Sequence, residues 1–457
     1  MLFIYVLFTL FQFSVQLENT NIIYVIISQN NYYSQQISNT LKQTLYEDYR
    51  SLGLNKPKIY VSKEDFNVPG DWTLTPLISP ILNITQPLTE WIILLEERTQ
   101  ISVELLLNTL RQYDFTKDIW IGHALHDKEA TIVHHFAFYE NPTFFKYPNI
   151  GSGIALSIPL LKKLESYLKQ GLSKQLDFHI DPSHEFAHLI YNMRNDLMLR
   201  HDNSFCCKKG PNCATYPRKF KPCGCVDVST IFFAIKTCKR FHENRVTVVK
   251  NTWYNYAKHK MFFSDVEDSN IPTVSLNVAN TEQGHCQKTM EILKYTLKEF
   301  QKNPLLKWLA LIDDDTILSV SRIANVTTCY NNDSQPFILG ERYRFGIQGF
   351  DYPTGGAGIL FNVPALQILA SKCTCPRPDS PDDMVVGICA LELGIELVYI
   401  PQMHQARPDD YAFGRLATND AVTFHKHWMN DPQRVYEKWF LADDSMLPLE
   451  PDVKLEL

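Results

Sequence analysis

Short apolar runs alternate with longer amphipathic stretches along most of this chain. Ile231–Ile235, Lys260–Phe263 and Trp308–Ile312 have the composition of buried strands, whereas Gln287–Gln301 and Pro364–Ala370 are typical of helices. Alternation of this kind favours a largely parallel sheet that is covered by helices. The pattern therefore predicts an α/β fold.

An internal repeat of three segments, in the same order, organises the chain. Two segments begin with Trp and four apolar residues, two begin with Tyr-Pro, and two are apolar runs of strand length. The pairs are Trp91–Val103 with Trp308–Val320, Tyr147–Ile154 with Tyr352–Ile359, and Ile22–Ser28 with Ile231–Thr237. Three ordered matches predict two tandem copies of one fold.

The repeat also predicts how the 457 residues are divided into domains. We expect a signal peptide or signal anchor over residues 1–17, the first copy over 18–200 and a Cys-rich linker over 201–226. The second copy is expected over 227–444, followed by a tail over 445–457.

The two copies differ where chemistry is expected. Residues 313–315 are Asp-Asp-Asp, and they correspond to Glu-Glu-Arg at 96–98. The pair Gly355-Gly356 corresponds to Ile150-Gly151. Because an Arg at the third position repels a cation, we infer that the first copy is degenerate and has lost metal-dependent chemistry.

Asp313, Asp314 and Asp315 directly follow a predicted buried strand. Ligands of open α/β sheets bind beyond the carboxyl ends of strands. Three adjacent carboxylates repel each other unless a cation lies among them, and oxygen ligands suit Mn²⁺ or Mg²⁺. Such an ion can bridge a diphosphate and neutralise the charge that develops on a leaving group. A solvated acidic turn is the alternative interpretation.

Two more motifs carry candidate chemistry. Gly355 and Gly356 let a ligand approach the backbone closely, although they also suit a plain turn. Asp382 and Asp383 follow a Pro at a predicted helix N-terminus, where they either cap the helix or supply a general base. The downstream histidines that could complete a metal site are His404, His425 and His427.

Charge and cysteine content narrow the class of protein. The net charge is −6, so there is no basic excess and nucleic acid is not expected as a partner. There are 11 cysteines, five of them between Cys206 and Cys225. Their spacing favours disulfides of an oxidising compartment over a zinc cluster. The odd count leaves at least one thiol unpaired within the chain.

Both termini and the sequons predict a location in the secretory pathway. The apolar segment Met1–Leu17 suits a cleaved signal, with an uncleaved membrane anchor as the alternative. The tail resembles a receptor-read retention signal, and it consists of Lys454, Leu455, Glu456 and Leu457. Glycosylation sequons begin at Asn83, Asn325 and Asn332. We therefore expect a protein of the endoplasmic reticulum lumen, soluble or type II membrane-anchored.

The second copy resembles the fringe-type β-1,3-glycosyltransferases over roughly residues 227–430. In family order, the resemblance is carried by Ile231–Arg245 with Trp253, Phe263–Asp265, Asp313–Asp315, Gly355–Gly358 and Pro381–Met384. Four further motifs are similar to the branch that adds glucose to O-linked fucose on thrombospondin type 1 repeats. These are Leu339–Tyr343, Ala370–Cys375, His404–Pro408 and Phe424–Trp428.

The resemblance implies a GT-A-like fold for both copies and an inverting transfer of glucose from UDP-glucose. It implies that the donor is bound by Arg245 at the diphosphate, by Asp265 near the uridine, and by Asp313, Asp314, Gly355 and Gly356. It assigns Asp315 to Mn²⁺ or Mg²⁺, and Asp383, more than Asp382, to the role of base. O-fucosylated thrombospondin repeat proteins and a retention-signal receptor are the implied partners.

One position departs from the family pattern. The residue that corresponds to the family's metal-binding histidine is Ala406. We therefore expect His404 to complete the metal site, with His425, His427 or water as alternatives.

The leading functional hypothesis is β-1,3-glucosyl transfer to O-linked fucose. The alternatives are a fringe-like transfer of N-acetylglucosamine to O-fucose and a non-catalytic lumenal protein that binds glycans or senses folding. For the first copy, recognition of the acceptor protein and a purely structural scaffold both remain open.

Overall fold

The computed structural model describes residues 21–171, 177–330, 334–346 and 349–449. The predicted leader, the retention tail and the sequon at Asn332 lie outside these residues. No helix of the described residues is long and apolar enough to cross a membrane. Each half of the chain is built on one central sheet.

The first half contains strands β1–β11 and helices α1–α5. The strands are β1 (Ile22–Ile27), β2 (Lys58–Val61), β3 (Trp91–Glu96), β4 (Thr99–Ile101), β5 (Trp120–Gly122), β6 (Ala124–Leu125), β7 (Tyr147–Pro148), β8 (Ile154–Ser157), β9 (Phe178–His179), β10 (Arg200–His201) and β11 (Thr215–Pro217). The helices are α1 (Tyr32–Ser51), α2 (Ile78–Asn83), α3 (Val103–Leu110), α4 (Ile158–Lys169) and α5 (Pro182–Met193). The main sheet has the order β10-β5-β8-β3-β1-β2, and β8 is antiparallel to both of its neighbours.

The second half contains strands β12–β22 and helices α6–α12. The strands are β12 (Ile231–Lys236), β13 (His259–Ser264), β14 (Thr273–Ser275), β15 (Trp308–Asp313), β16 (Thr316–Leu318), β17 (Phe337–Gly340), β18 (Arg342–Phe345), β19 (Phe350–Pro353), β20 (Ile359–Asn362), β21 (Glu396–Tyr399) and β22 (Thr423–His425). The helices are α6 (Arg245–Asn251), α7 (Cys286–Lys302), α8 (Val320–Thr327), α9 (Val363–Lys372), α10 (Asp382–Leu393), α11 (Pro432–Trp439) and α12 (Leu441–Asp444).

The main sheet of the second half has the order β14-β13-β12-β15-β20-β17-β21. Six of its strands, from β21 to β13, repeat the order of the first sheet, and β20 is antiparallel to its neighbours as β8 is. The register is also shared, because Ile22 pairs with Trp91 and Ile231 pairs with Trp308. The predicted α/β fold of two tandem copies is confirmed, and residues of β1 and β3 have counterparts in β12 and β15.

The central strands are apolar on both faces because each face packs against a separate core. In β12, Ile231, Phe233 and Ile235 belong to one buried cluster, whereas Phe232 and Ala234 belong to another. A sheet that is covered on both faces requires such unbroken apolar runs. Polar side chains follow these apolar runs at the carboxyl edge of the sheet.

Four disulfides form among the 11 cysteines, and the preference for disulfides over zinc is confirmed. Within the Cys-rich stretch, Cys206 bonds to Cys213, whereas Cys223 reaches Cys329 of the second half. The other two bonds, Cys286–Cys375 and Cys373–Cys389, brace α7 and α10. Free thiols remain at Cys207, Cys225 and Cys238.

The two halves are in direct contact. Strand β9 of the first half joins the hairpin β18–β19 of the second half in a three-stranded sheet. Gln29 donates a hydrogen bond to the carbonyl of Tyr399 at 3.1 Å and accepts one from its N–H at 2.8 Å. The Trp72 indole N–H donates to Asp351 at 3.2 Å.

Candidate active site

The three consecutive aspartates lie at the carboxyl edge of the second sheet, where β15 ends beside β12. Asp313 is the last residue of β15, and Asp314 and Asp315 follow as buried residues. The Asp314 N–H donates to the carbonyl of Lys236, which ties the two strand ends together. The sheet thus holds three carboxylates in one place, as the strand-then-acid pattern predicts.

Asp314 is held by two donors. The Thr237 hydroxyl donates to one oxygen at 2.7 Å, and the Arg245 guanidinium donates to the other at 3.0 Å. Burial raises the pKa of Asp314 to about 6, although both donors favour the charged form. Arg245 also lies 2.9 Å from Asp315, so one guanidinium bridges two members of the run.

Lys236 joins the acid run to the start of α10. Its ammonium lies 3.0 Å from Asp313 and 2.7 Å from Asp382, and the side chain is 7% exposed. Burial opposes its charge, but the two carboxylates outweigh burial and raise the pKa of Lys236. The sequence interpretation missed this residue; its only signal was a lysine that ends an apolar strand.

The two carboxyl groups at the start of α10, those of Asp382 and Asp383, have different pKa values. Burial would raise the pKa of Asp382, but Lys236 and the Thr289 hydroxyl outweigh burial and hold it at about 2. Asp383 has no such ion pair, so burial and the neighbouring Asp382 charge raise its pKa to about 6. A carboxylate in that range is suited to general base catalysis near neutral pH.

Gly355 lies between this carboxyl group and the acid run. A Cβ atom at Gly355 would be 3.8 Å from the Asp313 carboxylate and 4.0 Å from the Asp383 Cβ. The glycine therefore keeps the backbone close to both acids without filling the space between them.

A histidine completes a cluster of metal-ligand side chains. Asp313, Asp315 and His425 each offer a ligand atom, and these atoms lie within 4.8 Å of one another. His425 Nε2 is 3.2 Å from the Asp315 carboxylate, because β22 pairs with β16 just after the acid run. Burial would raise the pKa of Asp315, but His425 and Arg245 outweigh burial and lower it to about 2. The site suits a divalent cation with mixed oxygen and nitrogen ligands.

The structure favours His425 over His404 at this position. The His404 ring is buried against Phe424, with ring centroids 5.2 Å apart, and it is not part of the Asp313, Asp315 and His425 group. The backbone N–H of His425 donates to the carbonyl of Ala406. His425 therefore lies directly beside the position where the family pattern places its histidine. Neither ring nitrogen of His427 has a hydrogen-bond partner among the described residues, so His427 stays a candidate.

A cavity of about 510 Å³ adjoins the acid run. Besides the three aspartates and Arg245, it is lined by ten residues that the sequence interpretation did not select, most of them basic or polar: Lys236, Thr237, Cys238, Arg240, Phe241, Asn280, Thr281, Glu282, His285 and Lys288. Several cations around three acids suit a nucleoside diphosphate that is bridged by a metal. Asp265 is not among the lining residues; it accepts a hydrogen bond from the Lys239 N–H at 2.8 Å, which fixes the start of the basic segment.

The first half keeps one feature of this site and lacks the others. The Ser28 hydroxyl donates to Glu97 at 2.8 Å, as the Thr237 hydroxyl does to Asp314. Ile27 stands at the position of Lys236, and Arg98 stands at that of Asp315. The first half therefore has neither the lysine bridge nor the carboxylate that faces His425 in the second.

A second cluster of metal-type side chains, Asp127, His135 and His184, lies in the first half. His135 Nδ1 is 2.7 Å from Asp127 and Nε2 is 3.5 Å from Asp181, so both ring nitrogens face carboxylates. Burial opposes the charge of His135, but the two carboxylates outweigh it and raise the pKa to about 9. The ring also stacks on His184 at 3.9 Å, and parallel rings cannot direct their lone pairs at one ion. The buried ion pairs and the stacked rings make this cluster a poorer metal site than Asp313, Asp315 and His425.

Of the predicted glycosylation sites that are described, Asn83 is exposed at the end of α2 and Asn325 is partly buried in α8. Only the first presents its side chain fully to solvent.

Comparison with known proteins places this geometry in context. The family described as Fringe-like matches residues 55–181 and 226–446. A mouse protein named beta-1,3-glucosyltransferase is 41% identical over 430 residues, which are 93% of this chain and 87% of the relative. Its human counterpart is 41% identical over 431 residues, or 93% and 85% of the two chains. The zebrafish (Danio rerio) beta-1,3-N-acetylglucosaminyltransferase manic fringe is 25% identical over 203 residues, 39% of this chain and 56% of that protein.

Proposed function

The chain belongs to the Fringe-like family of glycosyltransferases, and from that premise we propose that it transfers glucose from UDP-glucose to O-linked fucose in a β-1,3 linkage. The acceptor in this proposal is the fucose on a folded thrombospondin type 1 repeat. The names of the mouse and human relatives support the choice of glucose over N-acetylglucosamine, since the fringe proteins that transfer the latter align over a much smaller part of the chain.

The observation that carries the proposal is the geometry at the carboxyl edge of the second sheet, where Lys236 bridges Asp313 and Asp382 and Gly355 keeps the backbone close to Asp313 and Asp383. Asp383, with a pKa of about 6, removes the proton of the acceptor hydroxyl as its oxygen attacks the anomeric carbon. The bond from that carbon to the diphosphate oxygen breaks, and UDP leaves with the electron pair. Attack opposite the leaving group inverts the anomeric centre and needs no covalent intermediate.

The basic residues of the cavity are placed for the leaving group. Arg245, Arg240 and Lys288 line the same cavity as the acid run. Fixed positive charge at this position stabilises the negative charge that develops on the diphosphate. Asp314 fixes the Arg245 guanidinium and thereby the direction of that charge.

The side chains present fit Mn²⁺, and less well Mg²⁺, because imidazole favours the softer ion. Asp313, Asp315 and His425 would hold it, and the unpartnered nitrogens of His427 offer a further contact. When bound, the ion neutralises charge on the diphosphate.

The endoplasmic reticulum lumen is the proposed location. Four disulfides support an oxidising compartment, and the terminal Lys-Leu-Glu-Leu supports recognition by a retention-signal receptor.

A donor panel tests the function. The purified protein is incubated with Mn²⁺, a fucosylated thrombospondin repeat and one of three donors: UDP-glucose, UDP-galactose or UDP-N-acetylglucosamine. The mass of the repeat is then measured by mass spectrometry. We expect one added hexose with UDP-glucose only, and none with the Asp315→Ala variant. Transfer of N-acetylglucosamine instead of glucose, or undiminished transfer by Asp315→Ala, would contradict the proposal.

A further inference from the structure

A second cavity lies between the two halves, at the place in the first half that corresponds to the donor cavity in the second. Its lining includes Ser28 and the Glu96–Arg98 segment, which are the counterparts of Thr237 and the acid run. It also includes Ser183, which follows the Pro that opens α5 as Asp382 follows the Pro before α10. The second half closes this cleft with Glu341–Tyr343 and the segment Tyr399–Gln402.

The cavity holds about 110 Å³. A buried water needs roughly 10–15 Å³ by this measure, so the space admits several waters or one small ring-shaped ligand. It is much smaller than the donor cavity of about 510 Å³, so a whole sugar nucleotide does not fit.

Two buried polar groups on the cavity lining have no hydrogen-bond partner in the described part of the chain. These are the Ser183 hydroxyl, on a residue that is 1% exposed, and the Arg342 Nε, on a residue that is 8% exposed. Nearly all buried polar groups in proteins are hydrogen-bonded. Both residues belong to the cavity lining, so a polar occupant that reaches them would supply the missing hydrogen-bond partners.

Acidic and basic residues are mixed around the cavity, four against three, which argues against an ionic occupant. The acidic residues are Glu96, Glu97, Asp181 and Glu341, and the basic residues are Arg98, Arg342 and Arg415. Either an anion or a cation would meet several like charges at short range, at a substantial desolvation cost. A neutral molecule with several hydroxyl groups would satisfy donors and acceptors on both sides.

Aromatic side chains supply the remaining wall. Tyr33, Trp72, Tyr343, Tyr399 and Tyr411 line the cavity alongside the charged groups. Burial raises the pKa of Glu341 to about 8, so this carboxyl group can be protonated near neutral pH and can donate as well as accept. Apolar ring faces next to convergent polar groups are the usual composition of small-molecule sites.

We propose that this cleft binds one neutral monosaccharide ring, in a second sugar site built from both halves of the chain. The site lies apart from the acid run and takes no part in transfer. The inference does not depend on the proposed reaction, because binding there requires neither UDP nor a metal ion.

Ligand-observed NMR and calorimetric titration test the proposal on the full chain. The probes are D-glucose, D-galactose, D-mannose, L-fucose and N-acetyl-D-glucosamine, each without UDP or metal. We expect saturable binding of at least one. Ser183→Leu, which fills the cavity, and Glu341→Leu, which removes the hydrogen-bonding atoms of that side chain at similar size, should each weaken binding at least tenfold. The Asp315→Ala variant is the matched control and should bind the sugar as the native chain does.

Three outcomes would overturn the site. They are an absence of saturable binding for all five sugars, unchanged binding in a folded Ser183→Leu or Glu341→Leu variant, and loss of binding in Asp315→Ala. The last would place the sugar in the donor cavity. Should Ser183→Leu fail to fold, the Glu341→Leu variant, which is close in size to the native residue, decides the question by itself. Failure of glucosyl transfer leaves this test intact, since no donor is present.

Discussion

At the scale of single residues, one lysine gives two neighbouring carboxyl groups different pKa values and therefore different roles. Lys236 neutralises Asp382 and leaves Asp383 without an ion pair. Both residues lie at the N-terminus of α10, where carboxylates are also plain helix caps. What distinguishes a base from a cap here is the raised pKa of Asp383 together with its closeness to Gly355.

The pH dependence of transfer should report on Asp383. A base must be deprotonated to act, so below pH 6 the rate should fall about tenfold per unit, and above it the rate should level off. Asp383→Asn should lower kcat by roughly 10²–10⁴. Asp379→Asn, four residues upstream, is the control and should retain native activity. A flat profile between pH 5 and 7 in steady-state assays would exclude this assignment.

Removing the lysine should move the profile. Lys236 lowers the pKa of both carboxyl groups, so in Lys236→Met the acidic limb of kcat/KM should shift to higher pH. Lys236→Arg keeps the charge and should restore most of the native position. A lower rate in Lys236→Met with an unchanged acidic limb of the kcat/KM profile would mean that Lys236 only supports the fold.

At the scale of elements, a two-stranded sheet delivers the histidine. β16 follows the acid run directly, and β22 pairs with it so that Thr316 is opposite His425. The turn that contains Gly356 packs against the imidazole, where a Cβ atom would come within 2.4 Å of the ring. The glycine is therefore required by the position of the ring.

Gly356→Ala tests this packing. The added methyl group must displace His425, so Mn²⁺ affinity should fall at least tenfold, measured by electron paramagnetic resonance alongside activity. Gly224→Ala is the matched control, because a Cβ atom there meets nothing within 4 Å. Native Mn²⁺ affinity in Gly356→Ala would show that His425 is not a ligand.

At the scale of the whole molecule, the disulfide between the Cys-rich linker and the second half should matter more for stability than the disulfide within the linker. Cys223–Cys329 closes a loop of 106 residues, whereas Cys206–Cys213 closes one of seven. Loop-closure entropy suggests about 5 kcal/mol for the first and about 2 kcal/mol for the second. In thermal unfolding, Cys329→Ser with Cys223→Ser should lower Tm clearly more than Cys206→Ser with Cys213→Ser. Equal losses would argue against this account.

Much of this architecture could be predicted from local pattern. The strand before the acid run and helix α7 lie within a residue or two of their predicted spans, because apolar period and length specify such elements well. The placement of His425 could not be predicted, since it depends on a strand pairing across about 110 positions of sequence. The ion pairs of Lys236 could not be predicted either, because the sequence of an apolar strand does not indicate which side chains its last residue contacts. The joining of β9 to the second half is likewise a tertiary event without a local signal.

The two hydrogen bonds between Gln29 and Tyr399 bear on how amino-acid substitutions in this chain are interpreted. The segment after Tyr399 leads to Gln405, whose carbonyl lies 3.2 Å from the Nδ1 of His425. A missense change at Gln29, nearly 400 positions from that histidine in the sequence, is therefore only a short chain of contacts away from it. A ranking of substitutions by sequence distance from the aspartates would give such a change a low priority. The folded chain gives reason to assay it for lost enzyme activity first.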